Sequence, residues 1–224
     1  MIKQRFSWLL SIVVVCAVIV AALLVWLSQT TSGGSEEDIR QLLADIPQNG
    51  TTLGSEDAPV TIYLYEDLQC PVCARFARDT FPDLVKSYVE PGEVKVVSET
   101  LAVIGPDSVP AAKAAVSAGE QNRYWEYSML FFLNQGRENS GYVTDEFLTN
   151  IAEKTQGLDV NQWNQARESD AVRTELDSAQ ASAQDEGVEA TPTLVVSGPS
   201  GTSKFVGAVP VSSIATAIEE VQTS

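Results

Sequence analysis

Two cysteines stand two residues apart in the segment Cys70-Pro71-Val72-Cys73, between a β-branched apolar run and the start of a helical pattern. Thiols one helical turn apart can close a disulfide, and the first of them faces the unpaired N–H groups at the helix N-terminus, which favour a thiolate. Pro71 suits the first helical position because its missing N–H would have no partner there. The segment therefore predicts a redox pair in which Cys70 is the nucleophile and Cys73, one turn deeper, is the resolving thiol.

Two other uses of this cysteine pair compete with redox chemistry. A structural zinc site needs four Cys or His ligands, whereas the chain contains three Cys and no His, and Cys16 lies far away in an N-terminal apolar segment. A purely structural disulfide is the second alternative, although a ring of four residues would constrain little of the unfolded chain. We therefore expect neither a metal nor a cofactor.

Composition narrows the classes of function further. The absence of His removes Ser-His and Cys-His nucleophile pairs. The net charge of -16 and the lack of any Lys/Arg cluster argue against binding to nucleic acid. A length of 224 residues suits one domain and an additional segment.

The N-terminus carries a pattern typical of a membrane anchor. Residues 6–27 contain no charge, Lys3 and Arg5 precede them, and no further basic residue occurs before Arg40. This pattern predicts a cytoplasmic segment at 1–5 and one transmembrane helix that contacts lipid, with everything after it outside the cytoplasm. A cleaved signal peptide is the alternative, but its apolar region is usually shorter.

The elements around the cysteines follow from apolar periodicity. A β-branched run at 60–65 predicts a buried strand directly before the cysteines. A helical pattern over 71–88, with Pro82 as an expected kink, leads to a second strand at 94–98. A strand, a helix and a strand in about 40 residues predict a βαβ unit with a parallel pair and a right-handed crossover.

Helical patterns then dominate the chain from 110 to 186, where we expect three or four helices. The dense aromatic residues near 124–132 favour a core helix over a ligand pocket. The remaining expected elements are a lead-in helix at 36–46, hairpin strands at 193–196 and 204–206, and a last helix at 211–221. Ahead of that hairpin, Thr191-Pro192 precedes a buried strand, where a proline can occupy a cis turn.

Four runs together resemble the DsbA-type thiol-disulfide oxidoreductases. They are YEDLQCPVCARF, GEQNRYWEYSMLFFLNQ, GVEATPTLVV and KFVGAVPVSSIATAI, and the resemblance covers about residues 53–221. It implies an α/β fold of thioredoxin type over 53–224 with a helical insertion at about 107–187, preceded by a linker and the lead-in helix at 28–52. By the same resemblance, Thr191 and Pro192 form a loop that contacts the substrate.

The resemblance also implies the activity. The expected function is to introduce disulfides into reduced exported proteins, and a membrane quinone-linked thiol oxidase is the expected electron acceptor. Some members of this type are membrane-anchored, so the resemblance favours a single-pass protein in the cell membrane. A disulfide reductase or isomerase would use the same residues, and a non-catalytic binding protein or chaperone with a structural disulfide is the alternative from another class.

Two positions depart from the family pattern. Related sequences often carry an acidic residue where this chain has Leu64, whereas Glu66 stands two residues further on, which places it on the same face of a strand. We therefore consider Glu66 a candidate proton acceptor for Cys73. Val72 stands where well-studied members have His, so the sequence leaves the oxidising power open.

Overall fold

A mixed sheet of six strands occupies the centre of the protein in the computed structural model, which describes residues 34–222. In spatial order the strands run β1-β2-β4-β3-β5-β6, and β3 and β4 are parallel while the other neighbours are antiparallel. The strands are β1 (Gln48–Asn49), β2 (Thr52–Leu53), β3 (Val60–Glu66), β4 (Val94–Thr100), β5 (Thr193–Gly198) and β6 (Gly201–Val206).

Nine α-helices accompany the sheet within the described range. They are α1 (Glu36–Leu43), α2 (Pro71–Asp79), α3 (Phe81–Leu84), α4 (Ser108–Gly119), α5 (Tyr124–Leu133), α6 (Asp145–Lys154), α7 (Val160–Ala166), α8 (Asp170–Asp185) and α9 (Val211–Gln222). A π-helical turn at Val85–Val89 continues α3. The order β3-α2-β4 is the predicted βαβ unit, and β5-β6 is the predicted hairpin, so both expectations are confirmed.

The position of β3 explains its apolar sequence. It lies between β4 and β5, with Ile62 opposite Val96 on one side and opposite Val196 on the other. Val60, Ile62 and Leu64 lie on the fully buried face of the strand, whereas Thr61 and Tyr63 on the opposite face are only partly buried. Its carboxyl end leads directly into the cysteine segment, so a central strand of the sheet positions the two cysteines.

The segment after the cysteines differs from the single kinked helix expected over 71–88. The first helix ends at Thr80, and a new one starts at Phe81 with Pro82 in its first turn, where a missing N–H costs no hydrogen bond. The expected number of three or four helices in the insertion is also too low. The structure forms five there, α4 to α8, because short turns divide the polar stretch after α5.

The aromatic helix α5 is a core element, as its composition predicted. Trp125 is 2% exposed and stacks on Phe81 with ring centroids 4.9 Å apart and planes inclined by 7°. Its indole N–H donates to the carbonyl of Thr51 at 3.1 Å. Burial of one such side chain contributes about 2–3 kcal/mol, so this contact fastens the insertion to the segment after the cysteines.

The predicted anchor at 6–27 lies outside the described residues. Between residues 34 and 222, no helix combines the length and the apolar composition needed to cross a bilayer.

Candidate active site

Cys70 occupies the N-cap of α2, at the carboxyl end of the central strand. Its backbone is extended, and its Sγ accepts a hydrogen bond from the N–H of Cys73 at 3.4 Å. Pro71 takes the first helical turn, as expected. Both cysteines are free thiols, with Cys70 5% exposed and Cys73 fully buried. The order of exposure expected for the nucleophile and the resolving thiol is therefore present.

The two thiols differ strongly in acidity. Hydrogen bonding by the Cys73 thiol is the largest influence on the pKa of Cys70, which is lowered from 9.0 to about 6 against the opposing effect of partial burial. Hydrogen bonds from Thr191 and from backbone N–H groups of α2 add to this effect. Burial raises the pKa of Cys73 well above its ordinary value. At neutral pH the pair therefore holds one thiolate and one neutral thiol.

The loop before β5 lies against Cys70, because β5 is the neighbour of β3 in the sheet. The bond between Thr191 and Pro192 is cis, as the sequence predicted. The thiol of Cys70 donates to the Thr191 carbonyl with a sulfur-to-oxygen distance of 3.3 Å. The carbonyl of Pro192 accepts from the N–H of Gly207 at 2.7 Å, which ties this loop to the residue after β6.

Glu66 ends β3 and lies close enough to both cysteines to interact with them electrostatically. It is 2% exposed, and its Oε1 accepts hydrogen bonds from the hydroxyls of Ser98 at 3.1 Å and Tyr124 at 3.2 Å. Burial raises the pKa of Glu66 to about 7, and the charge of Cys70 contributes in the same direction. The negative charge of Glu66 also raises the pKa of Cys73.

Asp67 forms a polar anchor that the sequence reasoning missed. Its Oδ1 accepts from the N–H of Gln69 and the hydroxyl of Ser108, both at 2.9 Å. Its Oδ2 accepts from the N–H groups of Val103 at 2.9 Å and Ile104 at 3.1 Å. This fully buried carboxylate therefore joins the segment before the cysteines to the start of the insertion.

Gln69 continues this anchor toward the loop after α5. Its Oε1 accepts from the N–H of Asn139 at 2.8 Å, and its Nε2 donates to Oδ1 of the same residue at 3.2 Å. Gln135 donates to the carbonyls of Leu68 at 2.6 Å and Cys70 at 3.2 Å. Gly105 leaves room for the side chain of Asn139, since a Cβ at position 105 would lie 2.1 Å from Oδ1 of Asn139. The one signal in the sequence was the polar pair Asp67 and Gln69 after a buried strand.

Comparison with known proteins agrees with this geometry. The family model described as Thioredoxin matches residues 47–219, so the chain belongs to the thioredoxin family. The probable disulfide bond formation protein D of Bacillus anthracis is 28% identical over 150 residues, which are 66% of this chain and 69% of that protein.

Solved structures show the same fold. The crystal structure of oxidised BdbD from Bacillus subtilis superposes with a TM-score of 0.68 at 23% identity, over 79% of this chain and 97% of that one. The crystal structure of Chlamydia trachomatis DsbA gives a TM-score of 0.65 at 25% identity, over 76% and 90% of the two chains. The thioredoxin-like α/β fold with a helical insertion and the prediction of a DsbA-type thiol-disulfide oxidoreductase are thereby confirmed.

Proposed function

We propose that the protein introduces disulfides into reduced exported proteins, with Cys70 as the nucleophile and Cys73 as the resolving thiol. The asymmetry of the pair carries this proposal. Cys70 lies at a helix N-terminus beside the Thr191 carbonyl, whereas Cys73 is enclosed in the core. A group that forms a mixed disulfide must meet another protein, and a resolving group needs only to reach its neighbour.

The proposed cycle starts from the Cys70–Cys73 disulfide. A substrate thiolate attacks Sγ of Cys70, the bond between the two cysteines breaks, and Cys73 leaves and takes up a proton. A second substrate thiolate then attacks the substrate sulfur of the mixed disulfide, which releases Cys70 as the thiolate that its surroundings favour. The substrate loses two electrons and two protons, and the protein becomes a dithiol.

In the second half of the cycle, a membrane quinone-linked thiol oxidase reoxidises the protein and accepts these two electrons. In this half of the cycle the Cys70 thiolate has attacked a disulfide of the partner and is bonded to one of its sulfurs. Cys73 must then lose its proton before it attacks Sγ of Cys70, which breaks the bond to the partner, releases the partner's thiolate and restores the Cys70–Cys73 disulfide. Glu66 is the proposed acceptor of that proton, because its carboxyl is buried near the pair and its pKa of about 7 allows it to take up a proton near neutral pH. Thr191 and Pro192 are the proposed contacts of the substrate backbone, supported by the closeness of the Thr191 carbonyl to Cys70.

Trapping of mixed disulfides tests the roles of the two cysteines. In the full chain, Cys73→Ala should accumulate a disulfide between Cys70 and a reduced secreted protein, because no resolving thiol remains. Cys70→Ala is the matched variant and should accumulate little, since Cys73 is buried. Equal trapping by the two variants would contradict the assignment.

The direction of electron flow needs a separate assay. The oxidised full chain, incubated with a reduced protein that requires disulfides for activity, should restore that activity stoichiometrically. Failure to oxidise this substrate, combined with efficient reduction of a disulfide-bonded protein by the dithiol form, would replace the oxidase by a reductase.

The proposed location is the outer side of the cell membrane, with residues 6–27 as a single-pass anchor in the lipid. Lys3 and Arg5 before an uncharged stretch support this orientation. A reporter enzyme that is active only outside the cytoplasm, fused after Ser224, should be active, and the intact chain should sediment with membranes. A mature protein that starts beyond residue 27 would show cleavage instead.

A further inference from the structure

The hydroxyl of Tyr124 lies at the centre of a polar cluster inside the apolar core. It lies 2.5 Å from the hydroxyl of Ser98, 2.8 Å from that of Thr100 and 3.2 Å from Oε1 of Glu66. All four side chains are almost completely buried. Tyr124 is the first residue of α5, so the helical insertion contributes this hydroxyl, while the two parallel strands β3 and β4 contribute the rest.

The numbers of donors and acceptors in this cluster limit the directions that its hydrogen bonds can take. An ionised carboxylate accepts and cannot donate, whereas a tyrosine hydroxyl has one proton to donate and can accept two bonds. When Glu66 is ionised, Oε1 accepts from the hydroxyls of Tyr124 and Ser98, and Thr100 can donate to the tyrosine oxygen in turn. Such a chain strengthens the donor that faces the charge.

Within the described part of the chain, no cationic side chain stabilises the charge of Glu66 by an ion pair, because none of the ion pairs there includes this carboxyl. The titratable groups around the carboxyl are Cys70 and Cys73 from α2, Asp67 from the end of β3 and Tyr124 from α5, and the first three bear or acquire negative charge. The contribution from β4 is uncharged, namely Ser98 and Thr100. Hydroxyl donors are therefore the main compensation for the buried charge of Glu66.

We propose that Tyr124 is a positioning residue of the redox centre, whose hydroxyl holds the Glu66 carboxyl in the ionised form that can take the proton of Cys73. The part about Cys73 rests on the proposed function, whereas the effect on Glu66 rests on the observed bonds. The insertion thereby influences the proton affinity of a group on β3 through the hydrogen bond from Tyr124. A phenylalanine at 124 would fill the same volume and leave Ser98 as the remaining donor to Oε1.

The first experiment measures the protonation of Glu66 directly. The infrared carbonyl band of the protonated carboxyl is followed against pH in the reduced full chain, and Glu66→Gln identifies the band by removing it. Tyr124→Phe should raise the midpoint by about one pH unit, a tenfold higher proton affinity, because loss of a hydrogen bond to a charged group costs about that much. Ser98→Ala should raise it in the same direction.

Tyr127→Phe is the matched control. Tyr127 is also a buried tyrosine of α5, but its hydroxyl donates to the carbonyl of Leu148 at 3.2 Å. This variant should keep the midpoint of the native chain. A midpoint in Tyr124→Phe equal to that of Tyr127→Phe would overturn the proposal, and agreement of Ser98→Ala with the native value would count against it as well.

The second experiment measures the proton step itself. The full chain carrying glutathione on Cys70 is followed as Cys73 displaces the glutathione over a range of pH. In Tyr124→Phe the pH profile should move up by the same one unit, so that release is several-fold slower at pH 7 than in Tyr127→Phe. A shifted infrared midpoint with an unshifted release profile would support the hold of Tyr124 on Glu66 and refute the proton-acceptor role in the proposed function.

Discussion

The lowered pKa of Cys70 predicts that the stability of the reduced protein depends on pH in a way that the oxidised protein does not share. The folded pKa is about 6 against an ordinary value of 9.0. An acid with a lowered folded pKa stabilises the fold fully above its unfolded pKa, and loses this contribution as pH falls through the folded value. The disulfide form has no such thiol.

The difference between the folded and unfolded pKa values of Cys70 determines how much the thiolate adds to the free energy of unfolding. With these two pKa values the thiolate contributes about 1.4 kcal/mol to the free energy of unfolding at pH 7 and almost nothing at pH 5. Solvent screening at a thiol near the surface reduces the expected difference to about 1 kcal/mol. Cys73 adds nothing in this range, because it is a neutral thiol in both the folded and the unfolded states.

The comparison must be made between two pH values, since the disulfide ring stabilises the oxidised form by itself. Chain entropy for a ring of four residues gives about 2 kcal/mol, which does not depend on pH. Urea unfolding of the oxidised and reduced full chain at pH 5 and pH 7, followed by tryptophan fluorescence, removes this constant. The reduced form should gain about 1 kcal/mol relative to the oxidised form between the two values.

Glu66→Gln provides the control for the neighbouring charge. The thiolate raises the pKa of Glu66, and the coupling is reciprocal, so loss of the carboxyl should enlarge the gain of the reduced form. A difference between the two redox forms that is the same at pH 5 and pH 7 would refute the reasoning. A gain of about 1 kcal/mol corresponds to a reduction potential higher by about 20 mV.

Two further predictions concern the same segment. In Cys73→Ala, alkylation of Cys70 by iodoacetamide should titrate with a midpoint above 6, because hydrogen bonding by the Cys73 thiol is the largest cause of the low pKa; an unchanged midpoint relative to the native chain would contradict this cause. Asp67→Ala should lower the free energy of unfolding by about 3 kcal/mol, because it removes the acceptor of two buried donors, at Gln69 and Ser108, and of two partly buried ones, at Val103 and Ile104. Asp177→Ala on the exposed face of α8 should stay within about 0.5 kcal/mol, and urea unfolding distinguishes the two.

The sequence predicted those features that local patterns encode. The βαβ unit, the hairpin and the helix start at Cys70 follow from apolar period, turn residues and the cysteine spacing, each of which spans a few residues. Strands β1 and β2 have two residues each, too few to show any alternation, so they were missed. The break at Thr80 was displaced by two residues from the expected kink, because a proline in the first turn of a helix ends the preceding helix before it.

The contacts of the site that escaped prediction join residues far apart in the chain. Glu66 and Tyr124 are 58 positions apart, and Gln69 and Asn139 are 70 apart. Neither partner shows by its sequence context that it contacts the site. A tyrosine in an aromatic helix is expected to be an ordinary core residue, and an asparagine in a loop is expected to form a turn. Such pairs become visible when the fold brings the insertion onto the end of β3.

Helix α5 therefore contacts the redox centre on two sides. Tyr124 at its beginning reaches Glu66 in the core, and Gln135, two residues after its end, binds the backbone carbonyl of Cys70. A helix of ten residues is about 15 Å long, so the two contacts lie near opposite ends of the helix. With the roles proposed above for Glu66 and Cys70, both contacts are hydrogen bonds to groups that influence thiol reactivity, so we expect changes in the insertion to alter the redox chemistry without a substitution at either cysteine.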